Sequence, residues 1–413
     1  MLLTVSKRLE FSASRRLFVP AWSEAENLAA FGPESAARYG TGRNYVAYFV
    51  FTGEVDATNG MLVNISEIKA RIERVLHERF DHKFLNEDHP VFRETPATAE
   101  NVARQLFVEV EPLFHDLVAR LVACHLVESP ERSATFYADG RSDANFWLEF
   151  SAARQTMSPH LSAAENDLLF GNASSPHGHG HHYRARFTFR EAVKKETQPA
   201  IPYSELGQCL ESLRTELDHK NLNHEVPGLT NCPKTTESLA EYLYQRVTKT
   251  VPIHRVRLHE REDFFAEYWA GGDYFLGMQR AFHAAHRLHA PSLSESENLD
   301  LYGKCNNPRG HGHRYLTEAT IGVATTRRAV PSTTFSRFAT AWSARSFPGR
   351  ISISIGRQRS FEKFLQPERT SCARSGPGLT PSSIIGWRVS ASGKRLTIAS
   401  RSAADWAPSL IRE

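Results

Sequence analysis

An internal repeat constrains the fold of this 413-residue chain more than any other feature of its sequence. The segment FSAARQTMSPHLSAAENDLLFGNASSPHGHGHHY at 150–183 aligns without a gap on FHAAHRLHAPSLSESENLDLYGKCNNPRGHGHRY at 282–315, and 16 of the 34 positions are identical. A third copy, at 11–45, needs one extra residue before its closing GTGRNY. A repeat of this kind predicts a fold that repeats one structural unit.

The two complete copies predict the same order of secondary structure. Each runs into a strand with an apolar residue at every second position, then into an amphipathic helix, at 65–76 in one copy and 203–217 in the other. Both then read Asp-His-Lys, begin a second helix after a threonine, and finish on a short strand that carries Glu128 or Glu260. Each unit is therefore predicted to be β-β-α-α-β-β, an α+β fold whose antiparallel sheet has its helices on one face.

The repeat divides the chain into four segments. Residues 1–140 and 141–272 are predicted to be complete units, and residues 273–325 to be the front half of a truncated third unit. From residue 324 onward there are 15 Lys and Arg against 4 Asp and Glu, with 16 Ser and no His. Segment 326–413 is thus expected to be a disordered basic tail, an arm for an acidic partner, or a remnant of the missing half-unit. The abrupt change in composition favours the remnant.

Composition argues against several classes of protein. The formal charge of +4 is small for this length, so nucleic acid is not an expected partner. No apolar run approaches the roughly 20 residues of a membrane helix, and the first residues lack the pattern of a secretory signal. The five cysteines are widely scattered, which favours reduced thiols over a disulfide framework. We therefore expect a cytoplasmic protein without a membrane partner.

The sequence resembles the 6-pyruvoyl-tetrahydropterin synthase family, which includes the 6-carboxytetrahydropterin synthases of queuosine biosynthesis. The resemblance covers about residues 1–325 and is most specific in SESENLDLYGKCNNPRGHGHRY, where the cysteine precedes the first paired histidine by six positions. This spacing is more similar to the pyruvoyl branch. The resemblance implies the tunnelling fold (T-fold), in which such units join sheets edge to edge into a barrel with active sites between units. We therefore expect a homo-oligomer or a pseudo-oligomer within one chain.

Three histidines of the third copy are candidate zinc ligands. His311 and His313 alternate along a strand, so their side chains share a face, and His286 lies on a neighbouring strand-like segment. Three histidines with an open fourth position are typical of catalytic zinc, and the resemblance implies that these are the ligands. Cys305 is the candidate base, since a nearby cation would lower its thiol pKa. The alternatives are surface histidines on a polar strand and an inert cysteine.

The resemblance also implies roles for residues of the second copy. Asp218 and His219 would act with Cys305, within the chain or across an oligomer, because the third copy has no Asp-His-Lys of its own. Glu260 resembles the residue that anchors the pterin ring, since a carboxylate can accept two parallel N–H bonds from an aminopyrimidine edge. Thr236 and Glu237 would line the same pocket. The alternatives are a helix or loop cap for Asp218 and a solvated strand end for Glu260.

The second copy lacks part of the metal and base pattern. It has Arg154 in place of His286 and Ala173 in place of Cys305, but it keeps His179 and His181. A guanidinium stays protonated and cannot bind zinc. The remaining histidines are either a weak metal site or an incidental histidine-rich strand, and we favour the latter.

The first copy lacks more of the pattern. It has Arg15 at the first ligand position, and Thr41 and Arg43 replace the paired histidines. We predict a structural role for this unit. It retains Asp81, His82, Glu100 and Glu128, which could line a neighbouring unit's site or simply persist without a role.

Together with these candidate residues, the resemblance implies a zinc-dependent carbon–oxygen lyase. Its reaction would convert 7,8-dihydroneopterin triphosphate to 6-pyruvoyl-tetrahydropterin with elimination of triphosphate. The carboxytetrahydropterin reaction on the same substrate is the alternative within this class. A non-catalytic pterin-binding protein or scaffold is the alternative outside it, because two copies lack metal ligands and the third lacks its back half.

Overall fold

The computed structural model describes residues 2–192 and 201–323, together with the backbone of three short strands at 350–356, 388–391 and 394–397. The predicted tail at 326–413 lies, apart from those strands, outside the described residues. The truncation of the third unit therefore stays a prediction. No helix in the described part of the chain is long and apolar enough to cross a membrane.

The predicted β-β-α-α-β-β order is confirmed for the first two units. The first unit contains β1 (Leu2–Arg15), α1 (Glu24–Phe31), β2 (Thr41–Glu54), α2 (Ile65–Arg79), β3 (Lys83–Phe84), α3 (Leu85–Asp88), α4 (Ala99–Val110), β4 (Arg120–Ser129) and β5 (Arg132–Tyr137). The second contains β6 (Arg141–Arg154), α5 (Ala163–Phe170), β7 (His179–Ala192), α6 (Tyr203–Leu217), β8 (Lys220–Asn221), α7 (Thr236–Val247), β9 (Arg255–Arg261) and β10 (Phe264–Trp269). The third copy forms β11 (Tyr274–His286), α8 (Glu295–Tyr302) and β12 (His311–Val323), and β13 (Arg350–Gly356), β14 (Arg388–Ala391) and β15 (Lys394–Thr397) follow.

A short helix between the first two strands of each unit was not predicted. In α8 the Ser294 hydroxyl accepts from the Glu297 amide at 3.2 Å, and the Glu297 carboxylate accepts from the Ser294 amide at 2.8 Å. The buried Asn298 side chain then binds the Ala290 amide at 2.7 Å and donates to the Leu293 carbonyl at 3.0 Å. This reciprocal capping box is a local signal that does not depend on apolar spacing. It recurs in α1 and α5.

The units join edge to edge into one sheet. The strand order is β13-β12-β11-β10-β9-β7-β6-β5-β4-β2-β1-β3, and β8 pairs with β6. The last strand of each complete unit pairs with the first strand of the next, through Ser133 opposite Asn145 and Phe264 opposite Met278. All pairings in this sheet are antiparallel except for the short β1–β3 and β6–β8 ladders. The third copy is therefore held to the second by ordinary strand pairing.

The helices cover one face of the sheet, where the hydrophobic core lies. In the first unit Phe49 and Phe51 of β2 share a core with Ile68 and Ile72 of α2 and with residues of α4. The second unit repeats this arrangement on β7, where Phe187 is fully buried. The opposite face carries the alternating residues, which in the second unit are mainly arginines and carboxylates.

The sheet curves far enough to bring the third copy back to the first unit. From β12 to β1 there are nine strand-to-strand steps, roughly 43 Å if the sheet were flat. Yet the Tyr302 hydroxyl donates to the Asn59 carbonyl at 2.6 Å, and the Ser292 hydroxyl to the Thr58 carbonyl at 3.2 Å. Phe31, the counterpart of Tyr302, contacts Tyr203 of the second unit with ring centroids 5.9 Å apart. Contacts therefore run from the first unit to the second and from the third copy to the first.

A buried ion cluster holds β12 against the second unit. Arg257 of β9 binds Glu267 of β10 and lies 3.5 Å from both carboxylate oxygens of Glu318 on β12. Trp269 also donates to Glu267, at 2.8 Å. Burial would raise the pKa of Glu267, but Arg257 and Arg255 outweigh it and lower this pKa to about 2.

Acid should weaken this junction. Because the folded pKa of Glu267 lies below the value of about 4.3 in an unfolded chain, its carboxylate stabilises the fold above that pH. This stabilisation is lost as the pH falls from about 4.3 towards 2. We expect Glu267→Gln to flatten the acid dependence of the unfolding free energy, measured by urea titration across that range. The exposed neighbour Glu262 is the control, since Glu262→Gln should leave the acid dependence of the wild type.

Candidate metal centre and its two counterparts

The hairpin of β11 and β12 brings the three predicted ligands together. His286 pairs with His311, and Ala284 pairs with His313. Because residues two apart on a strand share a face, all three imidazoles project to the same side. One potential ligand atom from each half-buried ring lies within 4.8 Å of the others, and no other such histidine, cysteine or carboxylate cluster was found among the described residues.

The geometry of the three rings fits a tetrahedral ion. The ring centroids of His286 and His311 are 4.5 Å apart, those of His311 and His313 4.8 Å, and those of His286 and His313 5.1 Å. Nitrogen ligands at about 2.0 Å from a shared zinc would lie about 3.3 Å from one another. Modest side-chain rotations would therefore close the set around one ion. The donors are of the type that zinc prefers, and His311 Nδ1 is buried without a hydrogen-bond partner.

Tyr315 orients one of the rings, a contact that the sequence did not predict. Its hydroxyl lies 2.7 Å from His286 Nδ1, which leaves Nε2 as the nitrogen of that ring for a metal. Tyr315 is itself fixed by stacking on Phe282, with centroids 5.0 Å apart. The signal was present in the sequence, because a tyrosine closes all three copies of the repeat, at positions 45, 183 and 315.

A glycine permits the tight entry into β12. Gly310 has a φ of +69°, a conformation that residues with a side chain rarely adopt, and a Cβ there would lie 2.9 Å from the His286 carbonyl oxygen. The loop can therefore pass directly over the end of β11. Gly178 repeats both features in the second unit, over Arg154.

Cys305 lies on a turn that is fixed to the segment after His286. Its carbonyl accepts from the Leu288 amide at 2.9 Å, and the carbonyl of the next residue, Asn306, accepts from Arg287 Nε at 2.9 Å. The thiol is half-buried. The turn thus places Cys305 beside the strand end that carries the first of the three histidines.

The structure places Asp218 and His219 away from the third copy. Asp218 accepts from the Ser151 amide at 2.8 Å, so the pair lies along β6, on the edge that faces the first unit. The third copy joins the sheet beyond β10, on the other side of the second unit. His219 binds Asp218 at 2.9 Å and has a positive φ of 59°, a strained conformation for a residue with a side chain. The pair is well formed, but strand order does not bring it to Cys305.

The first unit has a matching pair on the side where the third copy makes contact. Asp81 accepts from the Ser12 amide at 2.9 Å, and His82 binds Asp81 at 2.9 Å with a φ of 56°. A cleft of about 460 Å³ lies beside it, lined in part by His82 and Arg43. The Asp81–His82 pair lies along β1, next to the short β3 that ends the sheet, and the Tyr302–Asn59 contact brings the third copy to this unit. Asp81 and His82 are therefore the Asp-His pair that the strand order turns towards the third copy.

Glu260, Thr236 and Glu237 lie in the second unit around Arg154. The guanidinium of Arg154 binds the Glu260 carboxylate and donates to the Lys234 carbonyl at 2.7 Å. The Thr236 hydroxyl also donates to Glu260. Burial would raise the pKa of Glu260, but Arg154 outweighs it and holds this pKa below its usual value, whereas burial raises the pKa of Glu237.

By strand register this group is remote from the three histidines. Arg261, next to Glu260, pairs with Phe264, which pairs with Met278. From there β11 runs eight residues to His286, roughly 26 Å of strand. The predicted substrate residues and the predicted metal ligands therefore belong to different units.

In the first unit, Arg15 binds the corresponding glutamate, as Arg154 binds Glu260 in the second. It is fully buried, and its guanidinium binds Glu128 and Glu34. Its Nε lies 2.7 Å from Glu128, and Arg43 also binds Glu34, at 3.0 Å. Burial would lower the pKa of Arg15, but the carboxylates outweigh it and raise this pKa. Both arginines were predicted at the first ligand position, but their pairing with the glutamate of the same unit was not predicted.

His179 and His181 are arranged like their counterparts but lack a third imidazole. Their ring centroids are 4.9 Å apart and the rings are perpendicular, as in the His311–His313 pair. Arg154 stands opposite His179, where His286 stands opposite His311. Burial and the nearby Arg154 lower the pKa of His179. The residues present in this unit do not fit a three-histidine site.

Comparisons with known proteins agree with the repeated unit. The family model described as 6-pyruvoyl tetrahydropterin synthase matches twice, at residues 4–139 and 146–271, which is more than half of the chain. The 6-pyruvoyl tetrahydrobiopterin synthase of Drosophila melanogaster is 37% identical over 116 residues, 27% of this chain and 69% of that protein. Its human namesake is 31% identical over 125 residues, 29% of this chain and 86% of that protein.

One solved structure matches about a third of this chain. The Caenorhabditis elegans 6-pyruvoyl tetrahydropterin synthase is 31% identical, covers 33% of this chain and 96% of its own, and superposes with a TM-score of 0.31. The two family-model matches fall on the two complete units of the sheet. This chain therefore belongs to the 6-pyruvoyl tetrahydropterin synthase family.

Proposed function

We propose that the chain is a zinc-dependent carbon–oxygen lyase that acts on 7,8-dihydroneopterin triphosphate and releases triphosphate to form 6-pyruvoyl-tetrahydropterin. The observation that carries this proposal is the convergence of His286, His311 and His313 on one face of a hairpin. Relatives named 6-pyruvoyl tetrahydrobiopterin synthase support the reaction class. The spacing between Cys305 and the paired histidines favours the pyruvoyl over the carboxy product.

The ligands and the base have distinct tasks in this proposal. His286, His311 and His313 would hold the zinc, and Tyr315 would fix the His286 ring through Nδ1. When bound, zinc would act as a Lewis acid towards substrate side-chain oxygens and acidify the adjacent C–H. The Cys305 Sγ, as thiolate, would accept the proton, and triphosphate would leave with the electrons of its C–O bond.

A neighbouring Asp-His pair would carry protons to and from Cys305. Of the two pairs in the chain, Asp218–His219 lies on the far side of the second unit, and Asp81–His82 lies on the unit that the third copy contacts. We therefore assign this task to Asp81 and His82. The carboxylate binds Nδ1 and fixes the tautomer, so Nε2 is the atom that exchanges a proton.

Metal analysis combined with an activity assay on the purified full-length chain tests the proposal. We expect about one zinc per chain and release of triphosphate from dihydroneopterin triphosphate, with the pyruvoyl product identified by mass spectrometry. A chain that carries no zinc and releases no triphosphate when zinc is supplied would contradict it.

A non-catalytic pterin-binding role is the second candidate. It is favoured by the first two units, in which Arg15 and Arg154 stand where the third copy has the candidate metal ligand His286. Pterin binding measured by fluorescence, without triphosphate release in the same preparation, would identify this role.

Removal of the Tyr315 hydroxyl should weaken metal binding. Tyr315→Phe keeps the stacking on Phe282 but removes the hydrogen bond to His286 Nδ1, so the ring loses its fixed orientation. We expect zinc affinity to fall about 10- to 100-fold, measured by competition with a chelating dye. Tyr183→Phe, the same change in the second unit, is the matched control and should leave zinc affinity unchanged.

A further inference from the structure

The second unit contains two-thirds of a metal site whose third position is filled by Arg154. Arg154 ends β6 and pairs with His179 as His286 ends β11 and pairs with His311. The strand register around both pairs is the same, and Gly178 and Gly310 make the same close approach to the end of the first strand. A histidine at position 154 would therefore have a backbone position equivalent to that of His286, relative to the two paired histidines.

The two remaining rings are already arranged as in the third copy. The His179 and His181 centroids are 4.9 Å apart at 90°, against 4.8 Å and 89° for His311 and His313. His179 Nδ1 is buried without a hydrogen-bond partner, as is His311 Nδ1. Nothing in the arrangement of these two rings distinguishes a unit that binds metal from one that does not.

Arg154 also occupies the polar cradle of this unit. Its guanidinium binds Glu260, lies 3.5 Å from the Thr236 hydroxyl and donates to the Lys234 carbonyl. A planar group with parallel N–H donors is also what an aminopyrimidine edge would present to a carboxylate. Arg154 is 5% exposed, so a ligand could reach Glu260 only if the arginine side chain moved away.

We propose that the Arg154 side chain keeps both metal and ligand out of the second unit. Without this side chain, the unit is a preformed divalent-cation site. The positive charge of Arg154 repels a cation from His179 and His181, and its side chain fills the position of the third imidazole. Arg15 pairs with Glu128 in the same way in the first unit, where Thr41 and Arg43 replace the paired histidines. An arginine–glutamate pair thus fills this position in each complete unit. Only the second unit keeps the two histidines that could bind a metal once the arginine is replaced.

The test introduces the missing imidazole in a variant in which no three-histidine cluster remains among the described residues. In a His313→Ala background, which removes the third-copy site, Arg154→His should raise bound Co²⁺ from none to about one per chain, with the visible absorption of tetrahedral Co²⁺. The thermal unfolding midpoint of this variant should rise on addition of Co²⁺, because metal binds only the folded state. The background alone should show neither change.

Two matched variants distinguish Co²⁺ binding by the new imidazole from Co²⁺ binding that follows simply from loss of the Arg154–Glu260 ion pair. Arg154→Lys in the same background keeps a cation and should bind no Co²⁺. Adding His179→Ala to the Arg154→His variant should abolish the gain. The proposal is wrong if the folded Arg154→His variant binds no Co²⁺. It is equally wrong if the variant is unfolded and excess Co²⁺ does not restore its fold. It is also wrong if the background already binds Co²⁺ through His179. Failure of the proposed lyase function appears separately, in the metal content and activity of the wild-type chain.

Discussion

Replacing Cys305 with alanine should lower kcat by about 10²- to 10⁴-fold while zinc remains bound. The thiol lies on the turn that is fixed beside His286, and its removal leaves the three imidazoles untouched. The proton would then have to pass to water, which is not positioned by the turn. The measurement is triphosphate release under substrate saturation, together with zinc content of the same sample.

Two comparisons make this prediction specific. Cys209→Ala removes another half-buried thiol, one that packs against the core of the second unit, and should leave kcat unchanged. His313→Ala should lose zinc and activity together, because it removes a ligand. Full activity of Cys305→Ala, or loss of its zinc, would show that the thiol is not the base.

Replacing Arg15 with methionine should lower the free energy of unfolding by about 3–5 kcal/mol. Arg15 is fully buried and binds Glu128, which is 3% exposed, so the substitution removes the nearest counter-charge of a buried carboxylate and leaves it with Arg43, 3.8 Å away. Methionine retains most of the apolar length of the side chain. The loss therefore reports the uncompensated charge more than a cavity. Urea titration of the full chain measures it.

The charge explanation can be separated from packing by a second substitution. Arg15→Met combined with Glu128→Gln removes both charges, and we expect it to recover most of the lost stability. Arg43→Met provides the control for a partly exposed guanidinium at the same cluster and should cost about 1 kcal/mol or less. A double variant as unstable as the single one would mean that packing around Arg15 dominates.

The repeated β-β-α-α-β-β order could be predicted because its signals are local. Alternation along strands such as β2 and the helical spacing of Ile68 and Ile72 in α2 are properties of short stretches. The extra helix of each unit was missed because it lies on the surface. In α5 the only buried residue is Asn166, so there was no apolar stripe to find, although the capping box was present in the sequence.

The candidate site also has one part that local sequence predicts and one part that depends on how the units pack. His286, His311 and His313 lie on the two strands of one hairpin, so their approach follows from a register set within about 30 residues. The partner of Cys305 depends on which unit lies beside which edge. The choice between Asp218–His219 and Asp81–His82 therefore required the order of the strands and the curvature of the sheet.

The sequence by itself determined that this chain repeats one α+β unit, that the third copy alone has three histidines and a cysteine in the family pattern, and that the other copies have arginines there. Only the tertiary structure decided that those arginines are bound to Glu128 and Glu260 and that the third copy returns to the first unit. The reason is physical. Periodicity and hairpin register act over a few residues, whereas a buried ion pair between positions 113 or 106 residues apart, and the curvature of a long sheet, arise only when separate strands are packed together.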